Sequence, residues 1–568
     1  AMHVVTNTIR RGDRVYTAHL LRRSYREGGK VKKQTLANLS HLPEAVIELI
    51  RAALRGERFV AAEEALRVER SLPAGHVEAA LAMAGRLQLA RLLDRAPSRE
   101  RALCLAMIVQ RVIGPGSKLA MSRAFSQSTL GSALGVEDAD EDELYAALDW
   151  LLHRQSRIER ALARRHLQGG TLVLYDVSSS YFEGRSCPLA QLGYSRDGRR
   201  GTPQIIYGLL CDRRGCPVAV EVFAGSLHDD KTLPAQVEKL RARFGLASVI
   251  VVSDRGMVTK ANLELLRADG EAAWITALKA PQVKKLVREG ALQLSLFDEH
   301  NLAEIASDDY PGERLVVCRN PLVAQERARK REDLLAATER ALAEIQARVE
   351  QGTLAGEAQI GLAVGAVWNR WRMRKHFQVA IADSAFRFAR KQEQIAAEAA
   401  LDGIYVLRTS VAEDELAAPE VVRAYKQLKE VERAFRTLKG PLELRPIHHR
   451  LEDRVRAHVF LCMLSYYLAW HLRQAWKPLL FDDEHPPAKA DPVAKARRSP
   501  QAEQKARSKR TASGERCHSL ATLLDELATR TRNTIRLQQS GASFDQLTSP
   551  TTTQARALTL IENYTSRT

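Results

Sequence analysis

Several things are missing from this chain, and each absence closes off a class of protein. No stretch of about twenty apolar residues is present, so no membrane-spanning helix is expected. The longest apolar run, residues 459–470, is short, is broken by Ser465 and reads as a buried core helix. The seven cysteines form no CxxC pair and are odd in number, which excludes a zinc ribbon or disulfide frame and suits a reducing cytosol. Neither a signal-peptide pattern nor an internal repeat is seen. Negative charge is also in short supply: 86 Lys and Arg face 68 Asp and Glu, a formal net charge of +18. A balance so basic points to a polyanion, of which nucleic acid is the commonest. The expected partner is therefore nucleic acid rather than a membrane. The expected location is cytoplasmic, and nucleoid-associated when DNA is bound.

What is present changes texture along the chain. Residues 14–36 alternate apolar and polar around Glu27-Gly28-Gly29, the pattern of a β-hairpin. Arg22, Arg23, Arg26, Lys30, Lys32 and Lys33 crowd its tip, either as a solvated edge or as a phosphate-contacting ribbon. From Pro43 to about Leu167 the pattern is helical, in runs 44–54, 75–93, 99–113 and 141–165, with turn signals such as Gly114-Pro115-Gly116-Ser117 between them. After the Gly169-Gly170 break come strand patterns at 171–177, 204–212, 216–223, 248–253 and 272–277, with helices at 233–244 and 260–268. The order is β-β-β-α-β-α-β.

Residues 280 to about 400 interrupt that order. They include a charged helix at 321–351 with Leu335, Leu342, Ile345 and Val349 at heptad-like spacing, an arm or one side of a bundle. Trp368 and Trp371 follow amid arginines, and a last strand fits 403–410. Residues 486–514 are rich in Lys, Arg, Ala, Pro and Ser, the composition of a disordered basic linker, and an amphipathic helix fits 520–529.

The chemistry resides in three carboxylates. Asp176 and Asp254 each close an apolar strand pattern, and in an open sheet reactive groups gather outside strand carboxyl ends. If those strands are neighbours, two unpaired carboxylates meet and stay charged only around a cation, for which Mg²⁺ is suited. The helical run 424–440 carries Tyr425, Glu432 and Lys439 seven residues apart, hence on one face at intervals of about 10 Å. Glu432 would complete a two-metal clamp. Its alternative is a plain i,i+4 pair with Arg436.

The two strand-end aspartates, the Tyr-x6-Glu-x6-Lys helix and the motifs GYSRDGR (193–199), SDRGM (253–257), VERAFRTLKG (431–440) and LRPIHHRLEDRVRAH (444–458) resemble the DDE transposases of bacterial insertion sequences, in the insertion-sequence-four superfamily. The likeness covers roughly residues 170–475. It departs at Leu428, where the family carries arginine, and Lys429 is the nearest substitute charge. The resemblance implies an RNase H-like α/β core, a mixed sheet flanked by helices. The expected segments are an N-terminal β-hairpin (1–42), a helical DNA-binding region (43–168), core parts at 169–279 and 413–480 around an α+β insertion domain (280–412), a linker (481–516) and a helical tail (517–568). It further implies that Asp176, Asp254 and Glu432 bind two Mg²⁺ or Mn²⁺ ions. By the same resemblance its partner is double-stranded DNA, with no small-molecule cofactor: the chain would cleave at transposon terminal inverted repeats and join the 3′-hydroxyls to target DNA, as a homodimer in the DNA complex. Two rival readings are a metal-dependent nuclease without strand transfer and a catalytically silent DNA-binding descendant. DNA contact is assigned to Tyr425, Lys429, Arg436 and Lys439 on the helix, Arg196, Arg199 and Arg200 in the loop, and Arg255 beside the second aspartate. His448, His449 and Arg450 after the helix, Arg22, Arg23 and Lys32 on the hairpin, and Trp371 complete the set.

Overall fold

A computed structural model describes residues 1–568 except 58–64, 168–170, 185, 247, 258, 269–271, 298–300, 488–490, 495, 539 and 566–568. The Gly169-Gly170 break thus lies outside the described residues. The chain divides into two compact units, one of residues 1–71 and 532–548, the other of residues 72–531 and 549–568.

The smaller unit begins with the expected hairpin and one strand more. β1 (Met2–Arg11), β2 (Arg14–Glu27) and β3 (Lys30–Asn38) form an antiparallel sheet, with Gly28 and Gly29 turning at φ 56° and 80°, values that glycine adopts without strain. Helix Glu44–Leu54 follows, then β4 (Leu66–Pro73).

In the larger unit an eight-stranded mixed sheet is built from β5 (Thr171–Tyr181), β6 (Gln204–Asp212), β7 (Pro217–Ala224), β8 (Val249–Ser253), β9 (Ala272–Ala277), β10 (Leu302–Ile305), β11 (Arg314–Arg319) and β14 (Ile404–Thr409). Its order is β10-β11-β14-β9-β8-β5-β6-β7. β5, β8 and β9 run parallel, and the remaining neighbours pair antiparallel. Every residue of β6 is buried, which explains its unbroken apolar run: both faces of the sheet are covered. The insertion expected at 280–412 is narrower than its boundaries suggested, because β10, β11 and β14 extend the main sheet. Helix Ala280–Arg288 packs on these strands, and the segment between β11 and β14 leaves the sheet. There the long helix Pro321–Glu350 sets Leu335, Leu342, Ile345 and Val349 against helix Glu357–Trp371 and the hairpin of β12 (Phe377–Ala382) and β13 (Ala385–Arg390), one side of a small separate core.

The helices from residue 75 onward share the core of the larger unit. One hydrophobic core runs from Val77 through helix Arg99–Ile113, the sheet and helix Glu452–Ala475 to Ile561. Helix Arg99–Ile113 buries every residue from Leu103 to Val112, including Gln110 and Arg111, whose side chains donate to backbone carbonyls. Helix Glu452–Ala475 packs against it and against helix Glu141–Leu152 and β7, and the apolar run within it is a core helix, as read. Among the described residues no single helix is long and apolar enough to cross a membrane. Helices Arg99–Ile113 and Lys118–Ala124 pass by length and composition only as a pair bent by 93°.

The stretch read as a disordered linker holds helix Pro500–Ser508. Composition misled there because Lys505 is not a solvated charge: it is 4% exposed and donates to the Lys477 and Leu480 carbonyls at 3.0 and 3.1 Å and to Glu484 at 2.7 Å. The tail holds the expected helix, Leu520–Ala528, but also β15 (Thr531–Leu537) and β16 (Ser543–Leu547), which form a three-stranded sheet with β4, and a last helix, Thr552–Glu562.

Lys239 fixes the sheet to its helical cover. Its buried ammonium pairs with Glu159 of helix Gln155–His166 at 3.2 Å and with Glu221 of β7 at 2.9 Å. Lys239→Met leaves the buried Glu159 without a cation, while Glu221 keeps Arg456 at 3.6 Å, and is expected to cost about 3–5 kcal/mol. Urea unfolding measures this, and an unchanged midpoint would show the pair to be dispensable.

Candidate active site

The site begins with a register. Parallel pairing of β5 and β8 runs from Thr171↔Val249 to Tyr175↔Ser253 and stops there. The next residues are Asp176 and Asp254, so the two acids follow the last paired residues of adjacent strands, the neighbourhood on which the sequence reading depended. Asp176 is not at a strand end, however. β5 continues to Tyr181 paired with β6 alone, so Asp176 marks the point where one neighbouring strand ends and space opens. Its Oδ1 accepts from the Val177 amide at 2.8 Å. Burial, and then the charges of Asp254 and Glu432, push its carboxyl up to about 7 against that bond and Arg196. Asp254 is exposed and accepts from the Arg255 amide at 2.8 Å and the Tyr425 hydroxyl at 3.4 Å.

The third acid comes from a helix shorter than expected. Residues 424–440 are two helices, Ala418–Lys426 and Leu428–Lys439, meeting at Gln427. There the amides of Gln427 and Glu430 bond back three residues rather than four. The seven-residue spacing therefore does not lie along one straight face. Leu428, Val431, Ala434, Phe435 and Leu438 bury the second helix across β5, which leaves Glu432 on the exposed rim. Leu428 belongs to that core stripe, where an arginine could not be solvated. Lys429, the expected substitute, does not reach the site: it is exposed, with its ammonium 3.9 Å from Glu430. Among the described residues no ion pair joins Glu432 to Arg436.

Asp176, Asp254 and Glu432 line one cavity of about 580 Å³, with Arg196, Arg436 and Lys439 also on its wall. The loop carrying GYSRDGR is tied down rather than free. The Arg196 amide donates to Ser179 Oγ at 3.0 Å and its guanidinium to Asp229 at 2.5 Å, while Arg199 lies 3.8 Å from the Tyr181 ring centroid. Asp197 is the hub that sequence reasoning missed. Its side chain is 2% exposed and takes Lys439 at 2.9 Å, Arg445 at 2.6 Å and the Tyr181 amide at 3.0 Å. The available signal was an acid inside an otherwise basic loop. Burial opposes the Asp197 charge, yet Lys439, Arg445 and the Tyr181 amide hold its pKa below the ordinary range.

Other expected contacts scatter. Arg200, Arg255, His448 and Arg450 are exposed, and Arg255 lines a different cavity from the one that holds the carboxylates. His449 is half-buried, edge-on to Tyr145 at 5.9 Å. Trp371 packs in the small core beside β12 and β13, with Arg370 4.9 Å from its ring centroid. Arg22, Arg23 and Lys32 belong to the other unit, where Lys32 pairs with Glu27 at 2.6 Å.

The donor set suits a hard divalent cation. Three carboxylates converge, one of them disfavoured as an anion by burial, while the nearby cations Arg196 and Lys439 are engaged by Asp229 and Asp197.

Residues 168–468 match the family described as "Transposase DDE domain", and residues 4–66 match "IS1634 family transposase, N-terminal domain". No curated protein matches the chain. Among solved structures, a cryo-EM structure of the piggyBac transposase synaptic complex with hairpin DNA aligns over 80% of this chain and 76% of that one, at 9% identity and a TM-score of 0.33.

Asp197→Asn is expected to destabilise the protein by about 1–3 kcal/mol at neutral pH. The folded pKa lies below the unfolded value of about 3.9, so the deficit is present above that pH and fades as pH falls through the folded pKa. Urea midpoints of both proteins at pH 7 and pH 3 test this. A deficit that grows on acidification would contradict it.

Proposed function

The chain belongs to the transposase DDE-domain family, as a bacterial insertion-sequence transposase of the IS1634 type, and from that premise we propose that Asp176, Asp254 and Glu432 are its catalytic carboxylates. It is a DNA transposase, and its family implies dependence on a divalent metal. The observation that carries the assignment is the end of the β5–β8 register, which delivers two aspartates to the cavity that Glu432 also lines. The order of β5 to β9 around that point, with the glutamate helix across β5, supports an RNase H-like core.

In this reading the three carboxylates would hold two Mg²⁺ or Mn²⁺ ions, which would supply Lewis acidity for phosphoryl transfer. The protein's own groups do the rest. Tyr425 orients Asp254 through its hydroxyl, and the Val177 amide fixes Asp176. Arg436 on the rim and Lys439 behind it offer positive charge to the phosphates of a bound strand. Water attack at each transposon end frees a 3′-hydroxyl, which the same residues then position against a target phosphodiester. Two ends must meet for this, so the active assembly holds two copies. Arg22, Arg23 and Lys32 on the N-terminal sheet add backbone contacts.

The test is to incubate the protein with terminal-repeat DNA and Mg²⁺. Asp176→Ala and Glu432→Gln are each expected to bind the DNA yet lose cleavage by more than the about 10–100-fold typical of outer-shell metal partners. Wild type is expected to yield strand-transfer products. Undiminished cleavage in both variants overturns the assignment, and cleavage without strand transfer makes the protein a nuclease.

A further inference from the structure

A second cavity, of about 250 Å³, adjoins the carboxylate cavity, and Arg445 lines both. Its walls come from helix Arg99–Ile113, the turn at 116–118 and the segment 443–449. It is smaller than the about 300–1,000 Å³ of pockets that enclose a drug-sized ligand, so it suits one compact group with water rather than a base and sugar.

Its charge is one-sided. Lys118 is 4% exposed, lines the cavity, and has no hydrogen-bond or ion-pair partner among the described residues. Other lysines buried as deeply are matched: Lys239 by Glu159 and Glu221, Lys505 by Glu484 and backbone carbonyls. Arg111, 2% exposed, spends its terminal nitrogens on the carbonyls of Leu442, Glu443 and Gly116, and its Nε is buried without a partner. His458 donates through Nε2 to the Leu444 carbonyl at 3.0 Å, which leaves Nδ1 buried and unpaired. Glu443 is the one acid among the described lining residues, and it is exposed. Burial, then the charge of Arg111, pull the Lys118 ammonium down to about 7, and burial, then Lys118 and Arg111, lower His449 to about 3. A buried ammonium with no counter-charge is costly, and the cost is relieved either by loss of its proton or by an anion that arrives to pair with it; the second is open here because the group lines a cavity.

We propose that this cavity binds one phosphate group through Lys118, and that the group is a backbone phosphate of the DNA strand entering the adjoining carboxylate cavity. The second half rests on the transposase reading; the first does not. Because Arg445 is common to both walls, a strand whose reacting phosphate lies at Asp176 and Asp254 presents a nearby phosphate here. The exposed Ser117, Pro446 and His448 frame the entrance. A compact ammonium reads charge and not sequence, so the contact fixes position along the strand without selecting bases.

The experiment has two arms, and neither reads cleavage. Inorganic phosphate, against chloride at equal ionic strength, is expected to raise the thermal midpoint of the full wild-type chain, and Lys118→Met, which keeps the side chain's length without its charge, is expected to abolish the rise. The variant's own midpoint in chloride reports that it folds. In the second arm, terminal-repeat duplexes carry a single neutral methylphosphonate at successive positions beside the cleavage site. One position is expected to weaken wild-type binding roughly tenfold and leave Lys118→Met unaffected. The salt slope of that variant should fall by about one. Absence of a phosphate-dependent rise in wild type overturns the site. A rise that depends on Lys118, with no sensitive DNA position, overturns the DNA source and leaves a site for free phosphate. Asp176→Ala is expected to retain the phosphate response, so a failure of the catalytic assignment and a failure of this inference give different results.

Discussion

Parallel pairing of β5 with β8, ending at Tyr175 and Ser253, is the constraint on which the site depends. It places two carboxylates on adjacent strands at a spacing that backbone hydrogen bonds enforce and side chains cannot relax. Glu432 is then brought to them by a helix whose apolar stripe has no other place to go than across β5. The negative charge at the site is therefore a product of sheet geometry and core packing, secured by the buried β6 that pairs with β5 at Asp176 and by the Lys239 cluster.

Positive charge around the site is organised differently. Arg196 is held by Asp229, and Lys439 and Arg445 by Asp197, so these cations keep fixed positions with their acids in place. Pairing of this kind lowers the cost of holding like charges close together in a half-buried loop. Lys118 departs from the pattern, with its ammonium buried among cationic neighbours. The active region thus combines cations whose counter-charge is built in with a buried lysine that has no acid paired to it among the described residues.

The sequence made the strands around both aspartates legible because both faces of the sheet are buried, which writes continuous apolar runs rather than ambiguous alternation. Asp176 and Asp254 could be picked out for that reason, whereas Glu432 is singled out by its spacing from Tyr425 and Lys439 on a helical run. What stayed hidden were features set by tertiary contact. Pairing beyond Asp176 depends on β6, the break at Gln427 on where Leu428 finds its core, and membership of β10, β11 and β14 in the main sheet on partners distant in sequence. Lysine was the most misleading residue type. Lys505 reads as part of a solvated tail and caps buried carbonyls, Lys429 reads as a phosphate contact and lies away from the cavity, and Lys118 sits in what reads as a mere turn. Charge identity is visible in a sequence, whereas burial of a charge is not.

The sheet formed by β4, β15 and β16 joins strands that leave the ribosome far apart in time. β4 is complete by Pro73, whereas β15 starts at Thr531. At the usual elongation rate of about 5–20 residues per second, roughly 20–90 s separate them. Throughout that interval β4 has a bare edge on its β15 side, the kind of edge that recruits foreign strands. Its Arg67, Glu69 and Arg70 are well suited to discourage such pairing, and a nascent chain that terminates early never covers that edge.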